Sequence, residues 1–392
     1  MKPLKSLKFN PALAALSLGS FTIGLTEFAP MGLLPVLARD LQVPIPAAGL
    51  VVTAYAFGVM IFAPIVTLAG GRLARNRLLI LLALILAAGN LLAAAAPGYA
   101  LLLCARVLTA LCQGSFFGVG ALVAAALVTP GRQAGAVAAV FMGLTVANIA
   151  GVPAMTALGE AAGWRIPFLL LAGLGLVTPL ALLRVLPHLP APAGSNVRAK
   201  LRVLLRRPVL GALGLTVLTS TGQFTVFTYV APMLQHGLGA STGFVTLALI
   251  VVGLGMAAGN HLGGIAADRS LRGTLIVTLM ALILLLGGLS ACLAVPGAVL
   301  GLLFVWGGLC FALVPTMQMR VMAAAAEAPS LASSVNIGAF NLGNGLGAVV
   351  GAAVLNAGGS YPAIPLASAV VFAVPLAIVL LKGRRGRAAV QA

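Results

Sequence analysis

The chain has 392 residues, of which 61% are hydrophobic and only 7% are charged, and its formal net charge is +18. Soluble domains usually contain about 25% charged residues, so this composition excludes a soluble fold and indicates an integral membrane protein. The Lys and Arg residues lie in short clusters between apolar runs. A nucleic-acid-binding protein would instead gather them on one solvated face, so the distribution argues against a nucleic-acid partner.

In chain order, the apolar runs predict twelve membrane-spanning helices, each close to the roughly 20 residues that cross a bilayer. Turn signals at Ala96–Tyr99 and Val295–Gly297 divide the two longest runs. The predicted fold class is therefore all-α integral membrane. The predicted spans are 11–37, 46–69, 78–96, 100–127, 134–158, 166–186, 209–232, 242–266, 273–294, 298–320, 330–356 and 363–381.

The positions of the positive residues predict the orientation. Nearly all of the 23 Lys and Arg residues fall in the loops on the side of the N-terminus. The loops on the other side hold only Arg39 and Arg165, and Arg106 lies inside the fourth span. Because cytoplasmic loops are enriched in Lys and Arg, both termini are predicted to be cytoplasmic.

The chain also shows signs of an internal duplication. A polar segment rich in Pro, Gly, Arg and Lys, residues 187–208, lies at the midpoint and is interpreted as a cytoplasmic linker. It would join an N-terminal six-helix half, residues 1–186, to a C-terminal six-helix half, residues 209–392. Three short matches recur in order at nearly one spacing: Ala29-Pro30-Met31 with Ala231-Pro232-Met233, Gly70-Gly71 with Gly263-Gly264, and Pro97-Gly98 with Pro296-Gly297.

One acidic residue stands apart from the other four. Glu27 lies well inside the first apolar run, whereas the other acids fall in short polar breaks. A charged group at membrane depth costs roughly 2.5–3.5 kcal/mol on insertion scales, so a functional role is the default hypothesis. Burial disfavours the charged form of a carboxyl group, which would make Glu27 a reversible proton carrier. The alternative is a carboxylate held permanently by a partner for packing.

Arg106 is the predicted partner of Glu27. Counted from the predicted outer ends, Glu27 lies roughly 15 Å deep and Arg106 roughly 10 Å deep. The two side chains could thus meet directly or through a short polar bridge, either as part of a proton switch or as a structural salt bridge. Gln113 follows Arg106 by seven residues, on the same helix face. It would line the same cavity or form a plain interhelical hydrogen bond.

The motifs resemble the major facilitator superfamily over essentially the whole chain. Thr26-Glu27-Phe28, Gly32-Leu-Leu-Pro35 and Ala47-Ala-Gly49 resemble twelve-span drug:proton antiporters of the arabinose- and chloramphenicol-efflux branch. Two longer stretches are similar to bacterial YdhP-type inner-membrane transport proteins: Gly143-Leu-Thr-Val-Ala-Asn-Ile-Ala-Gly-Val-Pro153 and Asn336-Ile-Gly-Ala-Phe-Asn-Leu-Gly-Asn344. The resemblance implies two pseudo-symmetric halves in the bacterial cytoplasmic (inner) membrane.

The resemblance also assigns motif residues by position. The family's loop Gly-x-Leu-Ala-Asp-Arg reads Gly71-Arg-Leu-Ala-Arg75-Asn-Arg77 here, so Arg75 replaces the usual Asp. In the family that carboxylate is thought to act as a conformational latch, and its replacement puts the latch of the N-terminal half in doubt. The second copy, Gly264-Ile-Ala-Ala-Asp268-Arg269, keeps the acid. Arg106 with Gln113 matches a proton-linked motif. Residues that match the antiporter motif, in an incomplete pattern, are Gly143, Gly151 and Pro153.

In the family, spans 1, 4, 7 and 10 line the transport cavity. This implies that Tyr229, equivalent to Glu27 in the second half, contacts substrate together with Gln223 and Phe224, and that Trp306 lies at the rim. Packing or interface anchoring is the competing interpretation for a lone Trp or Tyr. Asn148 and Asn341, in Gly-rich spans, are candidate cavity residues too, although interhelical hydrogen bonds explain them equally well.

The leading functional hypothesis is proton-coupled efflux, by alternating access, of a small organic molecule such as a drug, sugar or nucleoside. The alternative is a symporter or facilitator that imports a small metabolite. A non-transporting sensor or membrane enzyme lacks support, because the sequence shows no metal cluster, nucleophile–base pair or phosphate loop. The expected partners are a small-molecule substrate and the lipid bilayer. Protons are the expected coupling ion, with no cofactor, and the expected state is a monomer.

Overall fold

The computed structural model describes residues 10–70, 73–129, 133–189, 202–327 and 329–391. These residues form helices and connecting turns, with no β-strand among them. Twelve helices are long and apolar enough to cross a membrane. We number them α1 Pro11–Asp40, α2 Ile45–Gly70, α3 Arg75–Ala94, α4 Tyr99–Ala126, α5 133–162, α6 Arg165–Val185, α7 Arg207–Gly237, α8 Thr242–Arg269, α9 Leu271–Ala291, α10 Pro296–Ala324, α11 Pro329–Asn356 and α12 Ala363–Gln391.

The twelve predicted spans are confirmed, but several helices are longer than the apolar runs. Helix α1 continues to Asp40, three residues past the predicted limit, and α10 continues to Ala324. Capping explains where α1 begins. The Asn10 side chain accepts a hydrogen bond from the Ala12 amide at 3.0 Å, and Pro11 occupies the first helical position, where no amide hydrogen is needed.

Two spans that the sequence predicts as continuous are interrupted. In α5, residues Ala147–Gly151 form a π-helical turn between Gln133–Val146 and Val152–Ala162. The Val152 amide bonds the Ala147 carbonyl five residues back, and the next residue, Pro153, has no amide hydrogen to donate. Helix α7 is broken at residues 228–229 and continues through a second π-helical turn, Met233–Gly237, beyond the predicted limit at Pro232.

Helix contacts hold the first six spans and the last six together and also join the two sets. Within the sets, α1 packs on α5, α3 on α6, α8 on α10 and α9 on α12. Between them, α2 packs on α11, the π-helical turn of α5 on α8, and α1 on α7. This arrangement is compatible with the predicted halves at 1–186 and 209–392. Of the predicted linker at 187–208, residues 190–201 lie outside the described residues.

Two glycines allow the backbone of α5 and that of a neighbouring helix to approach closely. A Cβ atom at Gly143 would lie 2.0 Å from the Ser17 carbonyl oxygen of α1, and one at Gly253 of α8 would lie 2.7 Å from the Asn148 carbonyl oxygen. Both distances are shorter than any side-chain contact tolerates, so only glycine fits. The Gly253 contact brings α8 against the π-helical turn and joins the two sets of six helices.

The described residues include only part of the two family-motif loops, which follow α2 and α8. Gly71 lies outside the described residues. Arg75 begins α3, and its backbone amide donates to the Leu189 carbonyl at 3.0 Å, while Arg77 is exposed. In the second copy, Gly264 and exposed Arg269 belong to the end of α8, as does the backbone of Asp268, whose side chain lies outside the described part of the structure. The latch roles of these residues stay predictions.

Candidate functional site

Glu27 lies at the middle of α1 and is 4% exposed. The side-chain amide of Gln113, on α4, donates to Glu27 Oε2 at 2.6 Å. The amide of Asn344, on α11, donates to Glu27 Oε1 at 3.3 Å. Each carboxylate oxygen thus accepts a hydrogen bond from a different helix. Asn344 belongs to the last six spans, so Glu27 links the two sets of helices.

Arg106 does not pair directly with Glu27. The side chain of Arg106 is fully buried, and it donates to the Thr26 carbonyl at 2.6 Å and the Val51 carbonyl at 3.2 Å. Its guanidinium carbon lies 4.3 Å from the centroid of the Tyr55 ring. The ion pairs in the described part of the chain involve Arg39 with Asp40 and Glu160, and Arg206 with Glu327. Arg106 therefore bonds the backbone of Thr26, the residue before Glu27, and forms no salt bridge with Glu27 itself.

The helix ends explain this difference from the expected pair. Counted from the observed outer ends at Asp40 and Tyr99, Glu27 lies about 20 Å deep, Gln113 about 21 Å and Arg106 only about 10 Å. Gln113 is therefore level with Glu27, and Arg106 is two turns nearer the outer end. The three additional residues of α1, beyond the predicted limit, account for the change in the depth of Glu27 from about 15 to about 20 Å.

A cavity of about 610 Å³ lies between the two sets of helices. Glu27 lies in its wall, and at the other end the wall includes Ala125, Met322 and Ser333. These three residues lie at the ends of α4 and α10 and the start of α11. Because twelve spans alternate in direction, this is the face at which the chain both enters and leaves the bilayer. We refer to it as the termini face.

The cavity wall is apolar, with amide and hydroxyl groups and one carboxyl group. Aromatic side chains of the wall are Phe28, Phe117, Phe141, Phe311 and Phe340. Amide side chains of the wall are Gln113, Asn148, Gln223, Asn260, Gln318, Asn336 and Asn341. Among the described residues that line the cavity, Glu27 is the only one with an ionisable acidic or basic side chain other than Cys310. The wall thus suits an amphiphilic ligand that is not an anion.

Four of the seven predicted substrate-cavity residues lie in this wall. Gln113 and Asn148 come from the first six spans, and Gln223 and Asn341 come from the last six. Helices α5, α8 and α11 contribute to the wall as well as the expected α1, α4, α7 and α10.

The other three predicted cavity residues lie behind the wall. Phe224 is fully buried, with its ring centroid 6.2 Å from that of Phe28 and 5.7 Å from that of Phe227. Trp306 packs on Phe227 at 6.0 Å. The Tyr229 hydroxyl donates to the Ala348 carbonyl at 2.9 Å. In this conformation these side chains pack helices together instead of facing the cavity, which corrects their expected position.

Sequence reasoning missed the contact between Asn344 and Glu27, because it named Asn344 only as the last residue of a stretch similar to other transport proteins. The available signal was its spacing: Asn341 and Asn344 are three residues apart and so lie near one face of α11. That pattern indicates a polar face but does not reveal which helix it meets.

The cavity is closed toward the opposite membrane face. There the Gln235 side chain of α7 donates to Glu160 Oε1 of α5 at 3.0 Å, and Arg39 of α1 lies 4.0 Å from Glu160 Oε2. Helix α7 also approaches α2, where a Cβ atom at Gly49 would lie 2.4 Å from the Tyr229 hydroxyl oxygen. The structure is therefore open at the termini face and closed at the other.

Twelve membrane helices around a central cavity that is open on one side define the class of α-helical membrane transporters. The sequence profile of the Major Facilitator Superfamily matches residues 16–352, and the chain belongs to this family. It is 49% identical over 386 residues to the inner membrane transport protein YdhP of Escherichia coli strain K12, with 97% of each chain covered.

Two further comparisons extend this result. The chain is 33% identical over 349 residues to a chloramphenicol resistance protein of Streptomyces lividans, with 88% of each chain covered. A crystal structure of a bacterial homologue of the human lysosomal transporter Spinster, in an inward-facing and unoccupied conformation, superposes with a TM-score of 0.76. It covers 95% of this chain and 96% of that chain at 15% identity, so it supports the fold alone. The predicted family and fold class are confirmed.

Proposed function

We propose that this transporter exports a small organic molecule from the cytoplasm in exchange for protons, by alternating access. The observation that carries the proposal is the position of Glu27. It is a buried acid in the cavity wall, and its two oxygens accept hydrogen bonds from opposite sets of helices. Proton binding at Glu27 would therefore act on a contact between the halves.

The chemistry of the hydrogen bonds provides the coupling. An ionised carboxylate only accepts hydrogen bonds, and the amide nitrogens of Gln113 and Asn344 only donate them. A proton on either oxygen of Glu27 removes the negative charge and adds a donor, so that oxygen accepts more weakly from the amide that faces it. Protonation at Oε1 would weaken the hydrogen bond from Asn344 and with it a link between α1 and α11.

The transport cycle follows from this switch. Substrate enters from the termini face, which the positive residues predict to be cytoplasmic, and displaces the proton from Glu27. The halves then rock, substrate leaves on the other side, and Glu27 takes up a proton there. A potential of about 100 mV is worth about 2.3 kcal/mol per charge, which supports roughly a fifty-fold substrate gradient.

The names of the relatives agree with this direction and location. One relative is a chloramphenicol resistance protein, which suggests removal of a drug, and another is an inner membrane transport protein. We accordingly place the protein in the bacterial inner membrane with both termini in the cytoplasm. It would act as a monomer and use protons without a cofactor.

Proteoliposomes loaded at different pH test the proposal, with radiolabelled chloramphenicol as the first probe. Antiport predicts that an acidic lumen drives accumulation of the probe, whereas symport predicts accumulation when the outside is acidic. Glu27→Gln should abolish the pH-driven part and Glu327→Gln, a matched change at an exposed acid, should preserve it. Accumulation driven only by outside acid would overturn antiport. Undiminished pH-driven accumulation by Glu27→Gln would overturn the role of Glu27.

A further inference from the structure

Three amide side chains in the cavity wall have carbonyl oxygens without a hydrogen-bond donor. These are Gln113 Oε1, Asn148 Oδ1 and Asn341 Oδ1, and none of the described residues donates to them. The three side chains are at most 5% exposed. A buried polar atom without a partner costs about 1–3 kcal/mol, so such atoms are rare unless they serve a function.

The neighbouring hydrogen bonds determine which way each amide points. The Asn148 nitrogen donates to the Leu144 carbonyl at 3.0 Å, and the Asn341 nitrogen donates to the Ile337 carbonyl at 3.0 Å. The Gln113 nitrogen donates to Glu27. Reversing any of these amides would place two acceptor oxygens together. Each carbonyl oxygen is therefore committed as an acceptor.

The unpaired acceptors come from both halves. Gln113 and Asn148 lie on α4 and α5, whereas Asn341 lies on α11, one turn from the residue that bonds Glu27. Together with the Glu27 carboxylate they form an acceptor belt, defined by Glu27, Gln113, Asn148 and Asn341. Phe28 and Phe340 of the same wall offer aromatic surface.

The charge balance of the wall points the same way. The described lining contains no Lys, Arg or His, and its unpaired amide donor, Gln223 Nε2, carries no charge, so no cationic side chain there compensates a negative ligand. An anion would meet the Glu27 carboxylate and at least three oxygen acceptors in a poorly solvated space, where unpaired charge is costly. A ligand that carries hydroxyl, amide or ammonium hydrogens would pair with the same atoms.

Resting on the proposed transport function, we infer that the acceptor belt selects substrates by their hydrogen-bond donors. The substrate class is an uncharged or singly cationic molecule with an aromatic or apolar ring and two or more hydroxyl, amide or amine donors. Molecules of the same shape with capped donors or an anionic group are rejected. Asn148 and Asn341 are the specificity-determining residues, since neither contacts Glu27.

A panel built on one ring system tests this selection without any pH gradient. It consists of chloramphenicol, which has two hydroxyls and one amide hydrogen, its free amine base, its diacetate with both hydroxyls capped, and its anionic monosuccinate. Binding to the purified transporter is measured by equilibrium dialysis in detergent. Chloramphenicol and the amine should bind at least about tenfold more tightly than the diacetate and the succinate, since each lost bond costs several-fold in affinity.

Variants locate the selection. Asn148→Leu and Asn341→Leu approximately keep the side-chain volume and remove the acceptor. Each should weaken the binding of chloramphenicol about three- to tenfold and leave the binding of the diacetate nearly unchanged. Asn356→Leu, at the exposed end of the same α11, is the matched control. Thermal unfolding and gel filtration of each variant check that it is folded.

Several outcomes overturn the inference. They are equal binding of all four compounds, preferred binding of the succinate, absence of binding by the whole panel, and loss of diacetate binding in parallel with chloramphenicol in the Asn variants. The proposed function is judged separately, by the pH-driven flux in proteoliposomes. If transport is driven by protons but binding does not depend on the hydrogen-bond donors of the ligand, the proposed function stands and the selective role of the acceptor belt is refuted.

Discussion

Asn344 of α11 donates to Glu27 of α1 at 3.3 Å, and this hydrogen bond joins residues 317 positions apart across the interface between the two sets of six helices. Both side chains are buried. Hydrogen bonds to charged groups contribute about 1.5–3 kcal/mol, so this one contact can bias the balance between open and closed conformations.

Asn344→Leu should shift that balance. Without the amide donor, the conformation open at the termini face loses a link between α1 and α11, and the ratio of conformers should change by tenfold or more. Electron paramagnetic resonance distances between labels at positions 125 and 322, in a background without native cysteines, would report the change. Asn356→Leu, exposed on the same helix, serves as the control. An unchanged distance distribution would show that the bond does not bias the conformation.

Arg106→Lys should destabilise the protein although it conserves the charge. The guanidinium bonds two backbone carbonyls on different helices and covers the Tyr55 ring. An ammonium group cannot reproduce this planar geometry. We expect a loss of about 2–3 kcal/mol, measured by unfolding in mixed detergent micelles. The exposed Arg77→Lys is the matched control, and equal stability of the two variants would contradict the structural role of Arg106.

Gly253→Ala should separate α8 from the π-helical turn of α5. The added methyl group would lie 2.7 Å from the Asn148 carbonyl oxygen, a backbone atom that cannot move aside alone. Both thermal stability and transport should fall. At Gly243, in the first turn of the same helix, an added Cβ would lie 3.9 Å from its nearest neighbour, so Gly243→Ala should be tolerated. Equal behaviour of the two variants would rule out the close contact.

The surface pair of Arg206 and Glu327 should make a small, pH-dependent contribution to stability. The Arg206 guanidinium donates to both carboxylate oxygens, at 2.6 and 3.0 Å, and holds the pKa of Glu327 below its usual 4.5. A depressed pKa stabilises the folded state above the unfolded value, and the effect is lost as the pH falls through the folded value. Glu327→Gln should therefore unfold slightly earlier than the unmodified protein at neutral pH.

The difference between the two proteins should disappear in acid and shrink in high salt, because both partners are exposed. Arg206→Gln alone should cause a similar loss, and adding it to Glu327→Gln should cause no further loss; the two single variants and the double variant form a double-mutant cycle for the pair. A stability difference that persists well below pH 4.5 would indicate another cause.

Several features of the protein were determined by the sequence alone. The twelve spans, the position of Glu27 inside the first span and the family follow from local hydropathy and short motifs, because the cost of placing a residue in a bilayer depends on that residue and its near neighbours. The polar residues Gln113, Asn148, Gln223 and Asn341 were identified as cavity candidates in the same way.

Only the tertiary structure decided which groups meet. Gln113 and Asn344, not Arg106, contact Glu27, because the ends and rotations of the helices set the depth and direction of each side chain. An error of three residues in the predicted end of one helix changes the predicted depth of its side chains by about 4.5 Å. Phe224, Tyr229 and Trp306 lie behind the wall because the break in α7 and its packing on α11 and α10 orient them. Hydrophobicity places a residue in the membrane, but its partner depends on how twelve separate helices pack together.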